Sequence, residues 1–590
     1  MEVKMGSHGV TDRILWLFVC LGTLSGMTLD AHRVNAQDEL RLWKNYDRYR
    51  YLPRLPQPNE KPEALPDSLR DVVGDDQVVI QELLGLIFLD NEADLVESPG
   101  DQPGVAIRVN QPSSVAKTKE FREVCESYLG GPVSQLRLNE LIRELILIYR
   151  KYDRPVVDFS VPVQDITEGT IQILVREGKI GRARVQGARY FDNQVLEDQL
   201  LLKSGQSISE KQLNEEVRWL YRNPFRAIDL KLTPGEKPGE TDVIFNVQDE
   251  RPVRTYAGYE DTGNQALGLE RTFYGINWYN ALCKDDYLGY QYTVSSDFNS
   301  LEAHSAFYTK ALHNRDILST YASYAEFNAP LAELNSRGRT WQVLNRWYRE
   351  LLVTDSLEKS LTAGFGLKET NNNLDQGGLS VFNSNAQIFQ LMLGYVERRE
   401  CSNGRFAAGI EGFFSPGDWL STNDTSAFQD VRAFSTADYA YARAWAERTM
   451  GLPKNFELSA RFTGQLSEGN LLPTEQLGLG GYNSIRGYDL FSGAGDSGYF
   501  LNLELWAPST QLWGGQLRSL SFVDGGQVFS HSLLADEASS IDMQGAGVGF
   551  RYDIDPQFSV RCDYAWQLSK LPAESQQPSS RIHLGVLISY

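Results

Sequence analysis

Two different spacings of hydrophobic residues divide the chain near Pro252. Before this point, apolar residues recur at the helical spacing i, i+3, i+4 and i+7. In TKEFREVCESYL these residues are Phe121, Val124, Cys125 and Tyr128. After it, apolar and polar residues alternate, which is the spacing of β-strands. The pattern therefore predicts an α+β first part and an all-β second part.

The α+β part predicts two successive modules. In the first, a helical stripe over 138–148 precedes a short strand between Pro155 and Pro162, and TIQILVREG alternates as a further strand. The second module, residues 179–250, reads as strand, helix, helix, strand and strand. Its second helix is expected to begin at a capping box formed by Ser209 and Gln212. The segment NEADLVESPGDQPGVAIRVNQ is expected to be a polar insertion in the first module.

Alternation after Pro252 is compatible with either a soluble sandwich or a membrane barrel. Strands recur about every 20 residues, which leaves room for about 16 strands, an even number typical of bacterial outer-membrane barrels. Aromatic residues crowd the predicted strand ends, as in YAYARAWAE, where an interfacial girdle would place them. These features favour a barrel with lipid outside and water inside.

The last strand, RIHLGVLISY, supports the same interpretation. One of its faces is apolar along its whole length and ends on an aromatic residue, a familiar barrel ending. We expect this face to contact lipid and Tyr590 to serve as a barrel end signal. The residues of this face are Ile582, Leu584, Val586, Ile588 and Tyr590.

Composition excludes several other functions. The chain has 590 residues, a formal charge of −20 and a pI near 4.9, so a polyanion such as nucleic acid would be repelled. Its five cysteines show no C-x-x-C spacing, which argues against a zinc site or a disulfide framework. GAGDSG, residues 493–498, matches G-x-G-x-x-G, but a strand rather than a helix follows it. We therefore expect no catalytic residue, metal or cofactor.

The amino-terminal segment predicts export from the cytoplasm. Charged residues, the apolar run ILWLFVCLGTLSGM and Val34-Asn35-Ala36 follow one another as in a secretory signal peptide over residues 1–36. A membrane anchor is the alternative, but the run is shorter than the roughly 18 residues that a spanning helix needs. Residues 37–70 predict a short helix, DELRLWKNYDRYR, and then a proline-rich tether.

Four motifs in order resemble the two-partner secretion transporters of the TpsB, or haemolysin-activator, type. They are VPVQDITEGTIQILVREGKIGRARVQGA, NPFRAIDLKLTPGEKPGETDVIFNVQDERP, IRGY at 485–488 and FVDGG at 522–526. The resemblance implies a mainly β fold with polypeptide-transport-associated (POTRA) domains at 71–178 and 179–250 and a transmembrane antiparallel barrel at 251–590. The short helix before the tether matches the family's plug helix by position only.

In this family IRGY lies on a long sixth outer loop that folds into the lumen, and FVDGG lies on the inner wall. The resemblance implies a loop latch in which Arg486 meets Asp524. Gly526 would leave space for the guanidinium group, and Asn502 and Glu504 are candidate second partners. The other residues of the expected latch are Gly487, Tyr488 and Phe522. Taken singly, IRGY also fits an exposed loop, and DGG a hairpin turn.

The implied function is export of a secreted protein across the bacterial outer membrane, with POTRA domains in the periplasm. The expected partners are an unfolded exoprotein, outer-membrane lipid, periplasmic chaperones and the barrel assembly machinery. Two other functions stay open at this point. One is an assembly factor that inserts other barrels, and the other is a passive pore.

Overall fold

A computed structural model describes residues 74–590 apart from gaps at 111–113, 264–267, 313, 332–333, 355, 377–378, 535–536, 555–556 and 572–578. The chain divides into two compact units, one within Pro56–Arg251 and one containing Pro252–Tyr590. The signal peptide at 1–36 and the helix and tether at 37–70 lie outside the described residues.

The first module of the smaller unit is a four-stranded sheet with order β3-β2-β6-β5 covered by two helices. Strand β6 is buried on both faces, because Ile173 faces the helices and Leu174 packs with Ile87 on the other side. The elements are β1 Val78–Ile80, β2 Gly85–Leu89, β3 Gly104–Arg108, α1 Lys119–Ser127, β4 Val133–Ser134, α2 Gln135–Lys151, β5 Val157–Ser160 and β6 Thr170–Glu177.

The segment expected to be a polar insertion contains an edge strand of this sheet, which corrects that expectation. Strand β3 pairs in parallel with β2, so that Val105 lies beside Leu86 and Ile107 beside Phe88. Val105 and Ile107 also pack against the apolar core. The polar residues around GVAIR hide a short strand whose apolar residues complete the core.

The second module has the expected β-α-α-β-β order and a sheet with order β7-β9-β8. The hydroxyl oxygen of Ser209 accepts a hydrogen bond from the backbone N–H of Gln212, as a helix cap does. The first helix is short, and the backbone N–H of Leu201, four residues beyond its end, donates to the Glu216 carboxylate instead of to a helical carbonyl. The elements are β7 Lys179–Gln186, α3 Asn193–Glu197, α4 Glu210–Tyr221, β8 Arg226–Pro234 and β9 Glu240–Asp249.

Asp153 joins the two modules. It follows α2 with a left-handed φ of 62°. One carboxylate oxygen accepts from the backbone N–H of Lys211 at 2.9 Å, and the other accepts from the Ser209 hydroxyl. The end of one module's helix therefore caps the start of the other module's helix.

The larger unit is a closed antiparallel barrel in which sixteen long strands of the described residues pair in sequence and β28 closes on β10. The first eight are β10 Val253–Glu260, β11 Arg271–Tyr279, β12 Asp286–Ser295, β13 Leu301–Ala311, β14 Ile317–Leu331, β15 Leu334–Val353, β16 Leu357–Gln376 and β17 Leu379–Cys401. The others are β18 Gly404–Pro416, β19 Asp438–Gly451, β20 Glu457–Ser467, β23 Ser497–Trp506, β25 Gly515–Phe529, β26 Ser540–Ile554, β27 Phe558–Gln567 and β28 Ser580–Ser589.

Short elements lie in the connections of the barrel. Helix α5, Thr425–Val431, lies between β18 and β19. Strands β21, Leu477–Leu479, and β22, Gly493–Gly495, lie between β20 and β23, and β24, Thr510–Leu512, pairs with β25.

The barrel is apolar outside and polar inside. On β27, Tyr564 and Trp566 are 36% and 44% exposed, whereas Arg561 and Asp563 are 3% and 0% exposed. Ile582 and Ile588 of the last strand also face outward. A soluble sandwich would show the reverse distribution, with its charged residues outside.

Among the residues that the structure describes, no helix has the length and apolar character needed to cross a membrane.

Candidate functional site

The sixth outer connection, residues 468–496, folds back into the barrel. Its strands β21 and β22 pair with each other, and the segment between them carries the IRGY motif. Ile485 and Tyr488 are fully buried, and Arg486 is 2% exposed. An exposed loop, the alternative that the sequence left open, does not fit these exposures.

Glycines allow the loop to turn tightly. Gly480, Gly481 and Gly487 have φ angles of +96°, +89° and +100°, in the region that side chains disfavour. Gly478 has an ordinary φ, but a Cβ there would lie 2.0 Å from the ring of Phe491. The backbone therefore favours glycine at three of these positions, and a side chain at Gly478 would require Phe491 to move.

Arg486 and Asp524 form a two-pronged ion pair. Arg486 Nε lies 2.7 Å from Asp524 Oδ2, and Nη2 lies 2.9 Å from Oδ1. The backbone N–H of Arg486 donates to the same carboxylate at 3.1 Å. Asn502 Nδ2 donates to Asp524 Oδ1 at 2.8 Å and to the carbonyl of Ser484 at 2.5 Å. A planar guanidinium group fixes direction as well as charge, so the loop has one orientation on the wall.

Two further carboxylates and an aromatic ring surround the guanidinium group. Arg486 Nη1 lies 2.9 Å from Glu504 Oε1 and 3.1 Å from Asp563 Oδ2. Its Cζ lies 3.5 Å from the centre of the Phe522 ring, a cation–π contact. Strands β23, β25 and β27 therefore all contribute to one arginine site.

Sequence reasoning missed three members of this site. Asp563 also pairs with Arg551, at 2.5 Å and 3.0 Å. His583 Nε2 accepts a hydrogen bond from the backbone N–H of Gly487 at 3.1 Å. The alternation of QFSVRCDYAWQ is a partial signal, because it places Asp563 opposite the apolar face of its strand. Nothing in the sequence indicated that it meets Arg486.

Tyr488 fixes the loop beyond the arginine. Its hydroxyl oxygen lies 2.9 Å from the carbonyl oxygen of Gln544 and 2.6 Å from that of Ser569. The carbonyl of Gly487 accepts from Gln567 Nε2 at 2.9 Å. The IRGY segment is thus held by side-chain and backbone contacts to three strands or connections of the wall.

The expectation for Gly526 was wrong. A Cβ at Gly526 would lie 2.6 Å from the carbonyl oxygen of Tyr499, so this glycine allows two strands to approach rather than making space for Arg486. The glycine that makes space is Gly545 on β26, where a Cβ would lie 2.1 Å from the carbonyl oxygen of Arg486. The alternating glycines in GAGVGF are the sequence signal that could have indicated a part of the wall without side chains, against which the loop backbone can pack.

Tyr590 lies at the barrel seam and away from this site. Its backbone exchanges two hydrogen bonds with Thr255, of 2.9 Å and 2.8 Å, and its side chain is 94% exposed. The structure therefore does not bring Tyr590 together with the expected latch residues.

The site combines two guanidinium groups with three carboxylates that pair with them. Such an arrangement holds a segment in place, and its strength depends on every ion keeping its partner. Among the described residues, no three His, Cys, Asp or Glu side chains are grouped as metal ligands would be.

Comparison with known proteins finds a family whose sequence pattern this chain matches. Residues 239–552, more than half of the chain, match the family described as haemolysin secretion/activation protein ShlB/FhaC/HecB. The heme/hemopexin transporter protein HuxB of Haemophilus influenzae strain 86-028NP is 21% identical over 462 residues, covering 76% of this chain and 80% of HuxB. The outer membrane transporter CdiB of Escherichia coli strain 536 is 23% identical over 400 residues, 65% of this chain and 66% of CdiB.

Solved structures show the same fold. CdiB from Escherichia coli superimposes with a TM-score of 0.67 at 16% identity, covering 94% of this chain and 98% of CdiB. BamA from Haemophilus ducreyi lacking POTRA domains 1–3 gives 0.51 at 13% identity, with 81% and 98% coverage. The expected fold class, a transmembrane antiparallel barrel preceded by two α+β POTRA domains, is confirmed.

Proposed function

The chain belongs to the haemolysin secretion/activation protein family of ShlB, FhaC and HecB and is an outer-membrane transporter of an exoprotein, and we propose that its sixth loop, docked inside the barrel, determines the path along which the exoprotein passes. The observation that carries this proposal is the burial of Arg486 among Asp524, Asp563 and Glu504 inside the lumen. Because the guanidinium fork fixes one orientation, the tip of the loop can leave this site and return to the same place.

We assign cargo capture to the second POTRA domain, 179–250, and assign 71–178 to the first. The sheet of the second domain has two edge strands, β7 and β8. The start of β7 is covered, because Ile180 exchanges backbone hydrogen bonds with Gly205 and Gln206. Strand β8 is the longer open edge, and an unfolded chain could add to it as a further strand.

Backbone hydrogen bonds to β8 would provide affinity for the unfolded exoprotein, and pockets between alternate side chains would provide selectivity. The exported chain would then pass the lumen after the loop moves, and its folding outside would give direction. We expect periplasmic chaperones and the barrel assembly machinery to deliver the transporter, with Tyr590 as its end signal, to outer-membrane lipid.

Crosslinking in cells tests capture. A photoreactive amino acid at Lys231, an exposed position of β8, should trap one large secreted protein. The same group at Asp158, which belongs to β5 in the other sheet, is the matched control. Trapping of many barrel precursors would instead indicate an assembly factor, and no trapped protein would indicate a passive pore.

A further inference from the structure

The arm of the sixth loop that precedes IRGY has its own buried ion pair. Glu475, 1% exposed, lies 2.6 Å from Lys368 Nζ. Its other carboxylate oxygen accepts from the Tyr441 hydroxyl at 2.8 Å and from Gln390 Nε2 at 3.0 Å. Because all these partners are wall residues, Glu475 attaches the arm to the wall independently of Arg486.

The two attachments lie on different arcs of the barrel. Lys368, Gln390 and Tyr441 belong to β16, β17 and β19, the seventh, eighth and tenth of the sixteen strands. Asp524 and Asp563 belong to β25 and β27, the thirteenth and fifteenth. One loop is therefore fixed to two separated parts of the wall and crosses the lumen between them.

A second buried carboxylate ties the arm to neighbouring loops. Asp496, the acid of GAGDSG, is fully buried and pairs with Arg432, which follows helix α5 of the fifth loop. It also accepts from the backbone N–H of Leu471 at 2.9 Å and of His531, in the seventh loop, at 3.1 Å. Three outer loops thus meet at one aspartate.

Apolar packing closes the same region. Phe428 of α5 and Leu471 and Leu472 of the arm are fully buried. They form one cluster with wall residues of β17, β18 and β19, namely Ala386, Ile388, Met392, Phe413, Tyr439 and Tyr441. The fifth-loop helix and the arm therefore form a single layer against the inner wall.

We propose that Glu475 is a positioning residue for export, which with Asp496 holds this layer across the lumen as a second attachment that must open before cargo leaves. This inference rests on the proposed export function, and it goes beyond the Arg486 attachment. It requires that breaking the Glu475 contacts opens the channel while the tip stays seated on Asp524.

Single-channel recording of purified full-length protein in planar bilayers tests the inference. Glu475→Gln leaves Lys368 buried without a counter-ion, and Lys368→Met leaves Glu475 without one. Each should raise the fraction of time spent open at least tenfold. Tyr441→Phe, which removes one hydroxyl and keeps the ion pair, should raise it less and serves as the variant least disturbing to folding.

The matched control is Glu411→Gln. Glu411 pairs with Arg346 at 3.0 Å, and both are wall residues with largely buried side chains that do not contact the arm's Glu475 in an ion pair. This variant should stay closed like the parent protein. Equal opening in Glu411→Gln, or closed channels in all three folded test variants, would overturn the inference. Heat-dependent gel migration identifies the folded barrels.

Export measurements separate this inference from the proposed function. If the parent protein secretes no partner in cells, the proposed function fails, whereas the conductance differences would still support the second attachment. If the parent protein exports its partner and the Glu475 variants neither open nor change export, only the second attachment fails.

Discussion

The first POTRA domain and the barrel differ in whether they bury paired charges beside their apolar side chains. The domain is filled by Phe88, Phe121 and Leu145, which are apolar and fully buried. The barrel buries Arg486 and Asp524 to the same degree. Apolar burial is non-directional and depends on area, whereas a buried ion pair depends on exact partners. The stability of the domain therefore depends on filling the volume of its core, whereas docking of the loop depends on pairing a few charges.

The largest expected effect comes from the charged interior. Arg486→Ala leaves three buried carboxylates without their shared arginine, and we expect a cost of about 3 to 5 kcal/mol in loop docking. Secretion should fall at least tenfold while the barrel still inserts and migrates as a folded species. Arg486→Lys should be intermediate, because an ammonium group cannot form the fork. Unchanged secretion in Arg486→Ala would contradict the assigned role.

Arg518→Ala is the control for that prediction. Arg518 pairs with Glu457 at 3.4 Å and both side chains are about one-third exposed. Such a pair contributes only about 0 to 1 kcal/mol. Secretion and loop protection from protease should therefore match the parent protein.

Leu145→Ala tests the contribution of apolar burial to the first POTRA domain. The side chain is fully buried on α2, so a cavity should cost about 2 to 5 kcal/mol. Limited proteolysis of the full chain should cut the first POTRA domain faster and leave the barrel intact. Leu147→Ala on the same helix, where the side chain is 48% exposed, should change little. Equal protease resistance in Leu145→Ala and the parent would count against this account.

Asp153→Ala tests the polar contact that joins the two modules of the smaller unit. Loss of its bonds to Lys211 and Ser209 should cost about 0.5 to 2 kcal/mol, the range for a helix cap. Hydrogen exchange of the first turn of α4 should accelerate several-fold. The exposed Asp158 on β5 is the control, and its alanine variant should exchange like the parent.

The smallest effect concerns thiol reactivity and leaves stability unchanged. Burial raises the pKa of Cys125 to about 12, whereas Cys283 is exposed in a turn of the barrel. A raised pKa keeps the thiol protonated at pH 8, and the thiolate is the reactive form. Mass spectrometry after maleimide treatment should therefore show Cys283 labelled at least tenfold faster. Similar rates would mean that the apolar interior opens readily.

The sequence predicted most of the fold for a physical reason. Helical and alternating spacings report which face of each element is buried, and they located α1, α2, β6 and the outward face of β28. The edge strand β3 was missed because GVAIR is short and lies among polar residues and prolines. Helix α3 is short, and beyond it the backbone N–H of Leu201 bonds to Glu216, a contact between residues 15 positions apart that local spacing does not report.

The sequence predicted part of the site. IRGY and FVDGG pointed to Arg486 and Asp524, and the expected second partners Asn502 and Glu504 also lie in the site. Nothing in the sequence linked Asp563, Arg551 and His583 to the loop. They meet the loop because β25, β26, β27 and β28 pair one after another along the wall, which places their inward side chains around the same point. Gly526 was misread because a glycine reports a close approach without saying which atom approaches.

The wall residues that receive Arg486 all come later in the chain than Arg486. Glu504, Asp524 and Asp563 lie on β23, β25 and β27. A polypeptide made from its amino terminus cannot seat this loop until its final strands exist. Completion of the barrel and seating of its inner loop are thus coupled, because a chain that ended before β27 would lack Asp563.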